Sequence, residues 1–116
     1  MTKPLPSAEY VAGLFGKYKI RPARFTIVDD GPKNVCGCAV TVLAIDSGME
    51  SCKISRETIL DVYNIVETTF DIDSFCIALG FDGRPMPSRY DEREREAYEL
   101  GRKVYEIVSR DFTTTH

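Results

Sequence analysis

Histidine is nearly absent from this 116-residue chain, where it occurs once, at position 116. Most hydrolases and transferases use an imidazole as a general base or to activate a serine or cysteine nucleophile. One histidine at the last position of the sequence offers neither arrangement. We therefore predict that the protein is not an enzyme.

Long apolar runs and nucleotide-binding motifs are also missing. No apolar run approaches the length needed to cross a bilayer, and the opening MTKPLPSAEY lacks the apolar core of a signal peptide. The glycines of GFDGRP, residues 80–85, fit neither a dinucleotide-binding nor a Walker pattern. We expect a soluble cytoplasmic protein with no membrane partner and no cofactor.

The composition is typical of a globular domain, with 43% hydrophobic residues, 28% charged residues and a net charge of −3. At this length we predict one compact domain over residues 1–116, with frayed ends at 1–6 and 112–116. An acidic protein repels nucleic acid overall, so a partner of that kind would need a local basic patch.

Apolar periodicity predicts an α+β fold, mainly α, with about five helices and one short strand or hairpin near residues 24–35. Ser7 and Asp73 are typical helix N-caps, and Gly80 or Gly83 is expected to end the helix that follows Asp73. The longest helix is predicted from Tyr90 to about Arg110. Its inner face consists of Ala97, Leu100, Gly101, Val104 and Val108.

The run VCGCAVTVLAI, residues 35–45, is the most apolar stretch, and its periodicity alone does not separate strand from helix. A strand could pair with residues 24–28 across the turn DDGPKN. A buried helix would run from an Asn34 cap to Gly48, a residue that suits the position after a helix end. The length of the run and these flanking residues favour the helix.

Cys36 and Cys38 form the most specific chemical motif in the chain. Such a pair can form an oxidising disulfide or supply two zinc ligands, and Cys52 and Cys76 would then complete a four-thiolate site. However, Cys52 and Cys76 are single cysteines rather than a second closely spaced pair, and the cysteines have mostly apolar neighbours. We therefore favour buried core thiols and no metal, with a thiol-redox or zinc-binding protein as the alternative.

Two segments carry residues that are typical of partner-binding surfaces. The first, residues 15–25, interleaves cations with aromatic residues, and the second is RPMPSRY, residues 84–90. The preferred function is a non-enzymatic accessory or inhibitor protein that binds a protein partner. A third hypothesis is single-stranded nucleic-acid contact through residues 15–25. The candidate partner-binding residues are Lys17, Tyr18, Lys19, Arg21, Arg24, Arg84, Met86, Arg89 and Tyr90.

Residues 24–108 resemble a group of small uncharacterised bacterial and phage proteins. These proteins have a cysteine-bearing apolar helix, a G-[FW]-D-G turn and a closing Y-x-x-G-R helix. In GFDGRP the glycines are expected to supply left-handed turn conformations and Asp82 to hydrogen-bond the turn, which are structural roles. The resemblance itself assigns no activity: it supports the predicted fold and leaves the function open. The positions that carry it are Cys36 or Cys38, Gly80, Asp82, Gly83, Tyr98, Gly101 and Arg102.

Gly101 lies on the inner face of the last predicted helix, where glycine costs stability relative to alanine. We therefore expect a neighbouring element to pack closely against it, and the cysteine-bearing segment 36–46 is the predicted neighbour. A Gly101→Leu change is expected to destabilise the protein by overpacking, and Gly101→Ala is expected to be tolerated better.

Overall fold

Five α-helices make up most of the residues that the computed structural model describes, which are 5–22, 36–50, 54, 56–86 and 91–114. A short 3-10 turn at Arg56–Thr58 precedes the third helix. The prediction of a mainly helical domain with about five helices is confirmed. The helices are α1 (Ala8–Lys17), α2 (Ala39–Asp46), α3 (Ile59–Phe70), α4 (Ser74–Asp82) and α5 (Glu92–Thr114).

Helix α2 lies at the centre of the core, which answers whether residues 35–45 form a helix or a strand. Its residues Ala39–Ala44 are all buried, as expected of a helix that is apolar on every side. The helix starts later than predicted, because Cys36 and Gly37 form a strand and Cys38 takes the N-cap position in extended conformation. Gly48 has a φ of 112° just after the helix end, as predicted.

The strand pair is short and parallel. Strand β1 (Arg21–Pro22) pairs with β2 (Cys36–Gly37), with Arg21 opposite Cys36 and Pro22 opposite Gly37. Parallel strands cannot be joined by a tight turn, so this pair is not a hairpin. The pair flanks the predicted location, whereas the strand predicted at 24–28 lies outside the described residues.

Local capping sets the ends of α4 and α5. The Asp73 side chain accepts a hydrogen bond from the backbone N–H of Cys76 at 3.1 Å, which confirms the predicted cap of α4. Gly83 ends α4 with a φ of 76°, a conformation that suits glycine. Helix α5 starts with a reciprocal capping box, in which Asp91 and Glu94 each accept the other's backbone N–H.

Helices α4 and α5 pack at a distance that only glycine permits. A Cβ on Gly80 would lie 2.0 Å from the backbone oxygen of Tyr98, and a Cβ on Gly101 would lie 2.1 Å from that of Ile77. The close neighbour of Gly101 is therefore α4, and the prediction of segment 36–46 is wrong. Gly80 lies inside α4 and makes this contact rather than ending the helix.

The core is built from the inner faces of all five helices, and the predicted inner face of α5 is entirely buried. Phe81 of α4 connects three of them. Its ring stacks on Phe15 of α1 with centroids 6.0 Å apart and meets Tyr105 of α5 edge-on at 5.4 Å. No helix in the described ranges combines the length and the apolar character required to cross a membrane.

Candidate partner-binding groove

A groove of about 410 Å³ lies where the end of α1 and strand β1 meet α5. Its floor is apolar, and Phe15, Ile20 and Val108 are the buried residues within it. The charged side chains that line it are Lys19 and Arg21, both exposed, and no acidic residue of the described ranges lines it. We refer to this feature as the cationic groove. Its lining residues are Ala12, Phe15, Gly16, Lys19, Ile20, Arg21, Pro22 and Val108.

The direction of the helices sets the shape of the groove. Helices α1 and α5 run side by side in the same direction, because Ala8 and Leu100 line one groove between them and Phe15 and Val108 line another. Gly16 faces the cationic groove, and a Cβ at this position would meet nothing within 4 Å. The absent side chain therefore leaves open space over the α1 backbone.

Lys19 adopts a left-handed backbone conformation, with a φ of 57°, immediately after α1. The turn is held by hydrogen bonds from the Ile20 N–H to the Phe15 carbonyl, 2.9 Å, and from the Lys19 N–H to the Gly16 carbonyl, 3.4 Å. Glycine is the usual residue here, and a lysine in this conformation carries a backbone cost. The position thus keeps a cation at the groove at some expense of stability.

Two predicted partner-binding residues, Lys17 and Tyr18, are engaged elsewhere. The Tyr18 hydroxyl donates to one Asp46 oxygen at 2.8 Å, and the Tyr10 hydroxyl donates to the other at 2.6 Å. Lys17 lies 3.8 Å from the same carboxylate, and neither Lys17 nor Tyr18 lines the cationic groove. These contacts attach both the first turn and the end of α1 to the end of α2, where a bare carboxylate would be opposed by the helix dipole.

The environment of Asp46 holds it ionised. Partial burial acts to raise the pKa of Asp46, but the hydrogen bonds from Tyr10 and Tyr18 and the charge of Lys17 together lower it. The pKa of Tyr10 is raised in turn, mainly because its hydroxyl donates to Asp46. Asp46 was not singled out from the sequence, because it lies 36 and 28 residues from its two tyrosine partners.

The second predicted segment contributes less to a continuous surface. Arg84 is exposed just after α4, and its carbonyl accepts a hydrogen bond from the Tyr98 hydroxyl at 2.6 Å. Met86 packs partly buried against the core. Asp82, predicted to stabilise the turn, is partly buried at the end of α4. Arg24, Arg89 and Tyr90 lie outside the described residues.

A second groove, of about 540 Å³, lies at the other end of the contact between α1 and α5. Four glutamates and two cations line it, so its net charge is negative, opposite to that of the cationic groove. The charged residues that line it are Glu9, Glu92, Arg95, Glu96, Glu99 and Lys103.

Cys38 and Cys76 are both free thiols and both only 2% exposed. Burial is the main reason that the pKa of Cys38 is raised. Burial, followed by the charges of Asp73 and Glu94, raises the pKa of Cys76 to about 12. The side chain of Cys36 and all of Cys52 lie outside the described part of the structure. A disulfide or shared metal site of Cys36 and Cys38 therefore stays a prediction.

Within the described part of the chain, the residues that could hold a metal ion are Asp73, Cys76 and Glu94, whose ligand atoms lie within 4.8 Å of one another. Cys38 is not part of this group, so the structure does not join the two described thiols in one site. Each carboxylate already caps a helix: Asp73 caps α4 and Glu94 caps α5. The positive ends of two helices disfavour a bound cation, so capping accounts for the cluster.

The burial of these thiols predicts that native Cys38 and Cys76 resist alkylation. At about pH 8, a thiol with a pKa near 12 is ionised in roughly one molecule in 10⁴, and only the thiolate reacts readily. We expect iodoacetamide to modify neither residue within minutes in the native protein and both after denaturation in urea. Peptide mapping by mass spectrometry separates them from Cys36 and Cys52.

The denatured sample is the control for reagent quality and for peptide recovery. Rapid modification of Cys38 or Cys76 in the native protein would contradict their burial, and it would restore the thiol-redox hypothesis for that residue.

Sequence reasoning found the two cations of the groove and missed its floor. Gly16 was assigned no role in binding, and Val108 was predicted only as a position on the inner face of the last helix. Gly16, a glycine within a helix, was a weak signal, because Gly13 of the same helix also has no described atom within 4 Å.

No protein-family model, curated protein or solved structure matches this chain.

Proposed function

We propose that the chain is a non-enzymatic cytoplasmic accessory or inhibitor protein that binds a protein partner in the cationic groove, where it takes an acidic segment with apolar side chains. The observation that carries the proposal is the local charge: the groove presents Lys19 and Arg21 above an apolar floor, although the whole protein has a net charge of −3. A surface of this kind favours an occupant that is both apolar and anionic.

The aromatic residues argue for a protein partner over single-stranded nucleic acid. Binding of a single strand depends on exposed aromatic rings on which bases stack. Phe15 is only 5% exposed, and Tyr18 is hydrogen-bonded to Asp46. Of the described aromatic residues in 15–25, neither therefore offers Lys19 and Arg21 an open ring on which bases could stack, since Lys17 also lies over the Tyr18 ring.

The proposal is tested with arrays of 14-residue peptides that combine Leu, Ile and Phe with Asp and Glu in varied order. A matched array carries Lys and Arg in place of every acidic residue. The best peptides are then labelled with fluorescein and titrated with the protein by fluorescence anisotropy. We expect acidic peptides to bind with Kd values below about 100 μM and to weaken as salt is added, because the contact is between opposite charges.

Lys19→Glu is expected to weaken this binding by about tenfold, which corresponds to ~1.4 kcal/mol. Lys19→Gly should weaken it too while raising stability, because glycine suits the left-handed conformation of this residue. The matched control is Arg102→Glu, the same reversal of charge at an exposed position of α5 that lines neither groove of the α1–α5 contact.

Three results would overturn the proposal. They are preferential binding of the basic array, tighter binding of an oligothymidine of the same length, and equal effects of Lys19→Glu and Arg102→Glu. Sedimentation velocity at increasing protein concentration tests whether a second copy of the chain occupies the groove. A dimer that dissociates in the Lys19→Glu variant would identify that copy as the occupant, in place of an acidic segment of another protein.

A further inference from the structure

We infer that the occupant of the cationic groove is an acidic amphipathic α-helix of the partner, and that it crosses α1 at Gly16 with its backbone close to that of α1. This inference rests on the proposed function and adds the conformation of the partner segment and its point of closest approach. Three features of the groove carry it: the hydrogen-bonding state of its walls, its position between two helices, and the open space over Gly16.

The helical walls of the groove offer mainly side chains. Ala12, Phe15, Gly16 and Val108 lie within helices, and the carbonyls of Phe15 and Gly16 accept the N–H groups of Ile20 and Lys19. An extended segment pressed against the apolar floor would bury peptide N–H and C=O groups without partners, at a high cost. A helix satisfies its own backbone hydrogen bonds and therefore avoids that cost.

Strand addition is poorly supported at this site. Strand β1 has two residues, of which Arg21 is already opposite Cys36 and Pro22 has no N–H to donate. A partner strand would find at most a short run of pairing along this described edge. An amphipathic helix laid between α1 and α5 is the recognition mode that matches a groove of side chains.

Gly16 explains how such a helix approaches. Glycine lowers helix stability, and the other helical glycines of known role, Gly80 and Gly101, are required because a Cβ would strike a facing backbone. Neither Gly13 nor Gly16 has a described atom within 4 Å of an added Cβ, and of the two only Gly16 lines the groove. A second helix that crosses here supplies the missing close neighbour, and Lys19 and Arg21 meet its acidic side chains.

The test uses two 14-residue peptides with the same Leu and Glu residues at helical spacing. In one, α-aminoisobutyrate at the outward positions stabilises the helix, and in the other, D-amino acids at the same positions prevent it. We expect the first peptide to bind at least about tenfold more tightly, because it needs no ordering on binding. Circular dichroism of a helix-competent peptide without these substitutions should show a gain of helix in the complex.

Gly16→Leu is expected to weaken binding of the helical peptide by about tenfold or more, because its side chain fills the point of closest approach. Gly13→Leu is the matched control, since Gly13 lies on the same helix, meets nothing within 4 Å and does not line the groove. Both variants should melt no lower than the wild-type protein, because leucine is a better helix former than glycine and both positions have space.

The outcomes distinguish failure of the helical conformation from failure of the proposed acidic partner. Equal binding of the two peptides, or unchanged affinity in Gly16→Leu while Lys19→Glu still weakens binding, would overturn the helix and leave the acidic partner in place. Failure of every acidic peptide, helical or not, would remove the proposed function itself.

Discussion

Gly101→Leu is expected to destabilise the protein by more than about 3 kcal/mol, at or beyond the upper end of ordinary overpacking effects. The first side-chain carbon alone would lie 2.1 Å from the backbone oxygen of Ile77 and 2.8 Å from the backbone nitrogen of Phe81. Both atoms belong to the backbone of α4, which cannot move aside like a flexible side chain. Accommodating leucine therefore requires α4 and α5 to separate.

Gly101→Ala should still cost about 1–3 kcal/mol, because the contact already forbids a Cβ. This cost outweighs the gain of about 0.5–1 kcal/mol that alanine brings to a helix interior. Alanine is thus the milder change, as the sequence suggested, but it is not a tolerated one. Gly80→Ala should behave in the same way, since its Cβ would lie 2.0 Å from the Tyr98 carbonyl oxygen.

Gly13→Ala is the matched control, because it makes the same chemical change in a helix with open space around it. Urea denaturation should show it stabilised by about 0.5–1 kcal/mol while Gly101→Ala is destabilised. If the two variants moved in the same direction, the close packing of α4 on α5 would be wrong.

The element that packs against Gly101 could not be predicted from the sequence. The spacing of Ala97, Gly101 and Val104 indicated correctly that this face is buried and that something packs closely against Gly101. The spacing carried no information on which element packs there, because helical periodicity defines a face and not its partner. Segment 36–46 was chosen for its apolar character, whereas the tightest approach comes from α4.

The helix ends were predictable from the sequence, because capping depends on residues that are close together in the chain. Ser7 and Asp73 were recognised as N-caps from the residue type and the start of an apolar pattern, and both accept the expected backbone N–H. The start of α2 was misplaced because Cys36 and Gly37 pair with β1, a contact with residues 15 positions earlier in the chain.

The cationic groove was predictable only in part. The sequence singled out Lys19 and Arg21 as partner-binding candidates. It also singled out Lys17 and Tyr18, which contact Asp46 and do not line the groove. The floor needs Val108 of α5 beside Phe15 of α1, and such contacts between distant parts of the chain leave no local pattern. Charge was visible in the sequence, whereas the groove itself depends on tertiary packing.

Phe81→Ala is the second change with a large expected effect. We expect it to lower the free energy of unfolding by about 3–5 kcal/mol. Phe81 is fully buried, and its ring contacts both Phe15 of α1 and Tyr105 of α5. Its removal leaves a cavity where three helices meet. It also removes both ring contacts, each of which contributes stability beyond that from buried apolar area. For a domain whose total stability is about 5–15 kcal/mol, this is a large share.

Phe75→Ala gives a control with the same chemical change on the same helix. Phe75 is 56% exposed near the start of α4, so its truncation should alter the free energy of unfolding by no more than about 0.5 kcal/mol. Because Phe81 supports Phe15, the milder Phe81→Leu variant should also weaken peptide binding in the cationic groove, and Phe75→Ala should not. Equal losses of stability in Phe81→Ala and Phe75→Ala would contradict the placement of Phe81 between the three helices.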